Sequence, residues 1–361
     1  MPTPDRADRL FPGDIAQFTR PMAGLAYGAA GVLYALSMAG YPAPPEHVDW
    51  LARHATTLAP GGALGLYDGL HGAAYALDHL GRRDTALDVL DICLRERWTD
   101  LGSDLSGGLA GIGLNLAHFA ACTGEPALSE AAERTLDMVA DRLGDVESVP
   151  TVSGGPHPYA GLLRGSSGAA LLFLRAYERT GESGLLDLAG TALRQDLRRC
   201  TVLRDGSMHV NEDWRTMPYL LNGSLGIGMV LDDYLRHRPE EDLLVAAEQI
   251  RRAAGCPFVV QSGLFSGRAG LILYLSRRAG AEHAAREAAA EQISRLSWHA
   301  VRYQEHLAFP GEQLLRLSQD LATGGAGVLL AVAAAIDPNR AYLPFLAPTP
   351  PPISGLYPGT A

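Results

Sequence analysis

No stretch of 18 residues in this 361-residue chain is free of glycine, proline and charge, so no membrane-spanning helix is expected. The N-terminus, MPTPDRADRLFPGD, lacks the basic-then-apolar order of a secretory signal, and a cytoplasmic protein is the expectation. Cysteine is scarce. Cys93, Cys122, Cys200 and Cys256 form no Cys-x-x-Cys pair, and none reads as a metal ligand with a histidine at ligand spacing. Four reduced structural thiols, no bound metal and no cofactor are therefore expected. Basic residues are outnumbered 30 to 40 by acidic ones, for a net charge of −10. That disfavours nucleic acid and anionic membranes, which reward clustered Lys and Arg, and is compatible with a peptide partner. Strand signals are few: CPFVVQSG, and CTVLRDGSMHV with Asp205-Gly206 as a turn.

What the chain has in abundance is one repeated signal. Gly-x-x-Gly followed by an apolar run occurs seven times, at Gly28-Gly31, Gly69-Gly72, Gly108-Gly111, Gly165-Gly168, Gly223-Gly226, Gly267-Gly270 and Gly324-Gly327. The first glycines are 41, 39, 57, 58, 44 and 57 residues apart. Each interval has room for two helices of about 10–15 residues with their loops. The run after each glycine pair is apolar nearly all round, as in a buried helix. The intervals also hold amphipathic segments. ALSEAAERTLDMVADRLG places Leu128, Ala132, Leu136, Val139 and Leu143 on one stripe, and PEEDLLVAAEQIRRAAG does the same with Leu243, Ala247 and Ile250. DTALDVLDICLRERW and GLLDLAGTALRQDLRRC are similar. Gly40, Gly81, Gly124, Gly181 and Gly280 sit where left-handed caps end helices.

Alternating buried and amphipathic helices predict an all-α, (α/α) toroid of seven inner and seven outer helices. An open solenoid needs polar end caps, whereas here the first and last repeats are as apolar as the middle ones. The glycine pairs would then gather at one end as a crowded rim, with helix N-termini directing free N–H groups into one cavity. Residues 1–343 read as this one domain and residues 344–361 as a Pro-rich tail.

Seven spaced Gly-x-x-Gly motifs on such a toroid resemble the lanthionine synthetase C-like cyclases, over about residues 10 to 335. The resemblance implies closure of thioether rings, a peptide cysteine adding to dehydroalanine or dehydrobutyrine. Zinc-dependent members carry a Cys two residues before the fifth glycine pair and a Cys-His immediately before the sixth. Here Leu221, Phe265 and Ser266 stand in those places. The chain therefore resembles the zinc-less cyclase domain of class III lanthipeptide synthetases, a branch also marked by RLFPGDIAQF (Arg9 to Phe18) and RLSQDLATGGAGVLLAV (Arg316 to Val332). That class joins lyase, kinase and cyclase and yields lanthionine or labionin. The implied partners are a dehydrated lanthipeptide precursor and the kinase and lyase domains of the same synthetase; no kinase motif is present in this chain.

Thiol addition requires a proton acceptor, stabilisation of an enolate and reprotonation of the α-carbon. Asp104, four residues before the third pair, matches the family's aspartate, and could equally be a capping carboxylate, since Asp320 has the same offset. Arg164 replaces a family histidine and can hold an enolate. His71, inside the second pair, is expected on the rim, oriented by Asp68, and titrates in the useful range. The candidate catalytic set is thus Asp104, His71 and Arg164, in a positive-field pocket completed by Arg268. Tyr27, Asp68, Asn222, Ser266 and Arg268 are candidate peptide-binding residues. Two other readings compete: a non-catalytic toroid that templates a peptide, and an α/α-toroid glycoside hydrolase. The latter needs opposed carboxylates, and Trp50, Trp98, Trp214 and Trp298 all lie outside the glycine motifs.

Overall fold

The computed structural model describes residues 2–57, 63–278, 283–337 and 339–347. Seven helices form the inner ring: α1 (Ala29–Met38), α3 (Leu70–His79), α5 (Leu109–Thr123), α7 (Ser166–Thr180), α9 (Ser224–His237), α11 (Arg268–Arg278) and α13 (Gly325–Ile336). Each begins right at a glycine pair and packs on the next, and α13 packs on α1, which closes the ring. Their runs of Ala, Leu, Val and Ile are buried on nearly every side, as in α1 from Ala29 to Ala35.

Outside lie α2 (Pro45–Ala55), α4 (Arg83–Leu94), α6 (Pro126–Leu143), α8 (Ser183–Leu197), α10 (Glu241–Ala253) and α12 (His283–Ser294), each packed on the inner helix before it. They bury one stripe only: Leu243, Ala246, Ala247, Ile250 and Ala253 in α10. The outer layer thus has six helices among the described residues, not the expected seven. Past α13, residues 341–347 form a strap instead, with Ala341, Leu343 and Leu346 buried. The rest of the Pro-rich tail, 348–361, lies outside the described residues, as does Gly280. Gly40, Gly81, Gly124 and Gly181 do end helices with φ of +73° to +86°.

The expected hairpin forms as β1 (Cys200–Val202) and β2 (Met208–Asn211), antiparallel, with β3 (Thr216–Met217) beside it. CPFVVQSG forms no strand; its Phe258 and Val260 are exposed and nothing pairs with them as a ladder. A second hairpin, β4 (Val301–Tyr303) with β5 (His306–Ala308), is present where none was expected. No helix among the described residues is long and apolar enough to cross a membrane.

The glycine loops are joined to one another. The residue two before each first glycine donates its backbone N–H to the carbonyl of its counterpart in the next loop. The sequence runs Ala26 to Tyr67, Ser106, Leu163, Leu221, Phe265, Ala322 and back to Ala26, at 2.9–3.2 Å. Seven hydrogen bonds thereby form an unbroken circle at one end of the toroid. The second glycines let this circle seat on the helices. A Cβ on Gly72 would lie 1.9 Å from the Leu66 carbonyl oxygen and 2.7 Å from Leu25 Cβ.

Candidate active site at the glycine rim

Because the circle fixes each loop, the residue just before the first glycine is held at the mouth: Tyr27, Asp68, Gly107, Arg164, Asn222, Ser266 and Thr323. Tyr27 reports what surrounds it. Burial raises its hydroxyl to a pKa of about 12, and the carboxylates of Asp320, Asp68 and Glu312 push the same way, opposed by Arg164. Groups from the first, second, fourth and seventh repeats therefore share one mouth. At Tyr27 three carboxylates act against one guanidinium, and Arg268, expected to add a positive charge at the mouth, turns away to the outer layer.

The helix N-termini, also expected to point free donors into the cavity, are partly capped. In six of them one N–H at the helix start is bonded to a carbonyl seven residues upstream in the same loop: Ala29 to Met22, Leu70 to Ala63, Leu109 to Gly102, Leu225 to Pro218, Arg268 to Gln261 and Gly325 to Ser318. In the fourth loop the buried carboxylate of Asp196, paired with Arg199, accepts from Gly161, Ser166 and Ser167 instead. Six of the loops thus satisfy part of the helix start themselves, among the described residues.

The candidate residues divide accordingly. Asp104 and Arg164 line one cleft of about 270 Å³ with Ser103, Tyr159 and Ser166. Asp104 Oδ1 accepts from the Gly107 N–H at 2.8 Å, and no hydrogen bond to its Oδ2 is found among the described residues. The Arg164 guanidinium is exposed and lies over the Tyr159 ring, 6.0 Å from its centre. Asp68 is 3.6 Å from Arg20, a residue the sequence reading passed over. Ser266 is half-buried, and Asn222 is buried with its side-chain oxygen unpartnered among the described residues.

Two residues are not where they were expected. His71 is fully buried between α3 and α5, not on the rim; its Nδ1 is 3.2 Å from Asn115 Nδ2. Burial lowers its pKa from 6.5 to about 3, so it is neutral and cannot exchange protons with Asp104 at neutral pH. The Arg268 side chain is also buried. It turns toward the outer layer, donating to Gln292 and to the Pro257 carbonyl, with Trp298 against it. Asp320 has no spare capacity, since it accepts from Asp14 N–H, the Ser318 hydroxyl and the Thr323 N–H.

Of the three positions that hold zinc ligands in the zinc-dependent cyclases, Leu221 and Phe265 lie on the hydrogen-bonded circle and Ser266 directly follows it. Leu221 and Phe265 offer only carbon, and the Phe265 ring meets the edge of Tyr67 from a non-adjacent repeat, centres 5.5 Å apart. A Ser266 hydroxyl beside two hydrocarbon side chains does not make a zinc site. Tyr67, Glu312 and Arg20 are the rim residues that sequence reasoning missed.

No family model matches the chain. Over 350 residues, 96% of its length, it is 51% identical to a protein named "Probable SapB synthase" of Streptomyces coelicolor. It spans 38% of that relative's length. Nisin cyclase superposes with a TM-score of 0.61 at 14% identity, over 90% of this chain and 92% of that one. The chain has the fold of nisin cyclase. The toroid is common ground between that solved structure and this one.

Proposed function

We propose that this chain is the cyclase unit of a class III lanthipeptide synthetase, closing lanthionine or labionin rings without zinc, alongside the kinase and lyase domains of the same synthetase. What carries the reading is the glycine rim itself: a toroid with the nisin-cyclase fold whose third and fourth glycine loops bring Asp104 and Arg164 into one cleft, while the zinc-ligand positions carry Leu221, Phe265 and Ser266. The chain's length relative to "Probable SapB synthase" fits one unit of a larger enzyme. Four free cysteines fit a reducing, cytoplasmic setting.

Asp104 Oδ2 takes the proton from a peptide thiol as sulfur bonds to the β-carbon of the dehydro-residue. The electron pair of the double bond moves onto the carbonyl oxygen, where Arg164 neutralises the enolate. The proton returns from Asp104 to the α-carbon, which regenerates the carboxylate. Tyr27, Asp68, Asn222 and Ser266 contact the peptide at the mouth. His71 and Arg268, buried away from it, serve packing.

The test is incubation of a dehydrated lanthipeptide precursor with this chain, with free thiols alkylated at intervals and read by mass spectrometry. Alkylation-resistant product should accumulate faster than without protein. Saturable binding with an uncatalysed ring-closure rate would establish the templating toroid instead.

A further inference from the structure

At the end of the toroid opposite the glycine rim, three side chains with different metal-binding atoms converge. His118 and Cys122 are one helical turn apart on α5, so they share a face. Asp78 comes from the last turn of the neighbouring inner helix, α3. His118 Nε2 lies 3.0 Å from Asp78 Oδ2 and 4.0 Å from Cys122 Sγ, and the three donor atoms are all within 4.8 Å of one another. This corrects the sequence reading of the cysteines, which left Cys122 without a histidine at ligand spacing. The geometry points to a binding site for a single zinc-class divalent cation, held by Asp78, His118 and Cys122 and independent of the rim.

Several features favour this over a simple His–Asp hydrogen bond. Bonds of about 2.0–2.3 Å in a tetrahedron set ligand atoms roughly 3.3–3.8 Å apart, so the observed spacings need only small side-chain rotations. Imidazole, thiolate and carboxylate together match a borderline cation better than magnesium or calcium, which favour all-oxygen shells. Asp78 already has its other oxygen held by Arg83, Nε to Oδ1 at 2.7 Å, which orients the free Oδ2 toward His118. Such support of a ligating carboxylate is common around metals. The His118 ring is fixed by Tyr75, Phe119 and Phe345. Cys122 is exposed, so the cation has an entry path and its fourth position faces solvent. On binding, the thiol of Cys122 loses its proton to water and sulfur becomes the thiolate ligand. No change of oxidation state is involved. A site with three protein ligands and one open position is the arrangement that leaves room for water or a further ligand. With the family's zinc positions occupied by Leu221, Phe265 and Ser266, zinc found in this protein would belong at this end.

The experiment uses the full chain, freed of metal by chelation and titrated with Co2+. One equivalent should bind, with tetrahedral d–d bands and a sulfur-to-cobalt charge-transfer band that added Zn2+ abolishes. Cys122→Ser should remove the charge-transfer band, and His118→Gln should weaken binding at least tenfold. Circular dichroism melting of both variants, matched to wild type, establishes that they fold. Absence of saturable Co2+ binding, or binding left unchanged in both variants, overturns the proposal. Because the readout is metal binding, its result is independent of whether the rim closes thioether rings.

Discussion

Asp104 uses one oxygen for the fold and has the other available for chemistry. Asn at this position keeps the acceptor for the Gly107 N–H but cannot take a proton. Asp104→Asn should therefore slow ring formation by about 10²–10⁴-fold, the usual effect of losing an acid or base. Its melting temperature should stay near that of wild type, and normal cyclisation would reduce Asp104 to a cap. His71 makes a different prediction. Its folded pKa of about 3 lies below the unfolded value of 6.5 because burial opposes the charged ring. The unfolded chain therefore binds a proton across that window and the folded chain does not. The stabilisation is full above pH 6.5 and is lost as pH falls toward 3. In denaturant titrations, wild type should lose stability more steeply over this range than His71→Gln, and the two should run parallel above pH 7. Parallel curves throughout would mean His71 becomes protonated in the folded state. The sequence held a clue to this placement. The positions equivalent to His71 in five other loops are Ala30, Ala110, Leu225, Ala269 and Ala326, all apolar and buried. The residue just before each first glycine is held at the mouth, whereas the one two places after it, as His71 is, points into the packing between helices.

At the scale of elements, the inner helices were legible because their glycines have a steric cause that repeats. Gly72 sits where a methyl group would collide with the Leu66 carbonyl and Leu25 Cβ. Gly184, in the first turn of α8, has nothing within 4 Å of where a Cβ would be. Gly72→Ala should cost about 1–3 kcal/mol, as overpacking does. Gly184→Ala should be neutral or stabilise by up to about 1 kcal/mol through helix propensity. Chemical denaturation compares the two, and equal effects would contradict the tight seating of the circle. The β4–β5 hairpin was not legible for the opposite reason. Val301, Tyr303 and Leu307 are exposed, so no alternation of buried and solvated positions marks it. The cap-like carbonyls of the loops escaped notice because backbone acceptors leave no residue signature.

At the scale of the whole molecule, the ring is closed twice, by the hydrogen-bonded circle at one end and by the strap of residues 341–347 at the other. Closure was legible from the apolar first and last repeats. A strap was one of the forms open to the Pro-rich tail, but what holds it was not legible, because the hold depends on carbonyls and on distant arginines. Arg175 of α7 donates to the Phe345 carbonyl and Arg277 of α11 to the Leu346 carbonyl. Both guanidiniums also pair with Asp233 of α9. Burial alone would raise the Asp233 carboxyl, but Arg277, Arg175 and Arg236 together hold it below the usual carboxylate range. Strap, three inner helices and a buried ion cluster thus form one unit. Ending the chain after Asp337 removes Leu343 and Leu346 from the core, each worth about 1.5–3 kcal/mol of burial. It also deprives Arg175 and Arg277 of two carbonyl acceptors, at roughly 1–3 kcal/mol for each buried donor left unmade. Those losses sum to several kcal/mol. At about 2–4 °C per kcal/mol for large domains, Tm should fall by roughly 10 °C or more. The glycine circle lies at the far end, so the truncated protein should keep its helical circular dichroism at low temperature. A Tm within about 2 °C of the full chain would show that the toroid closes without its strap.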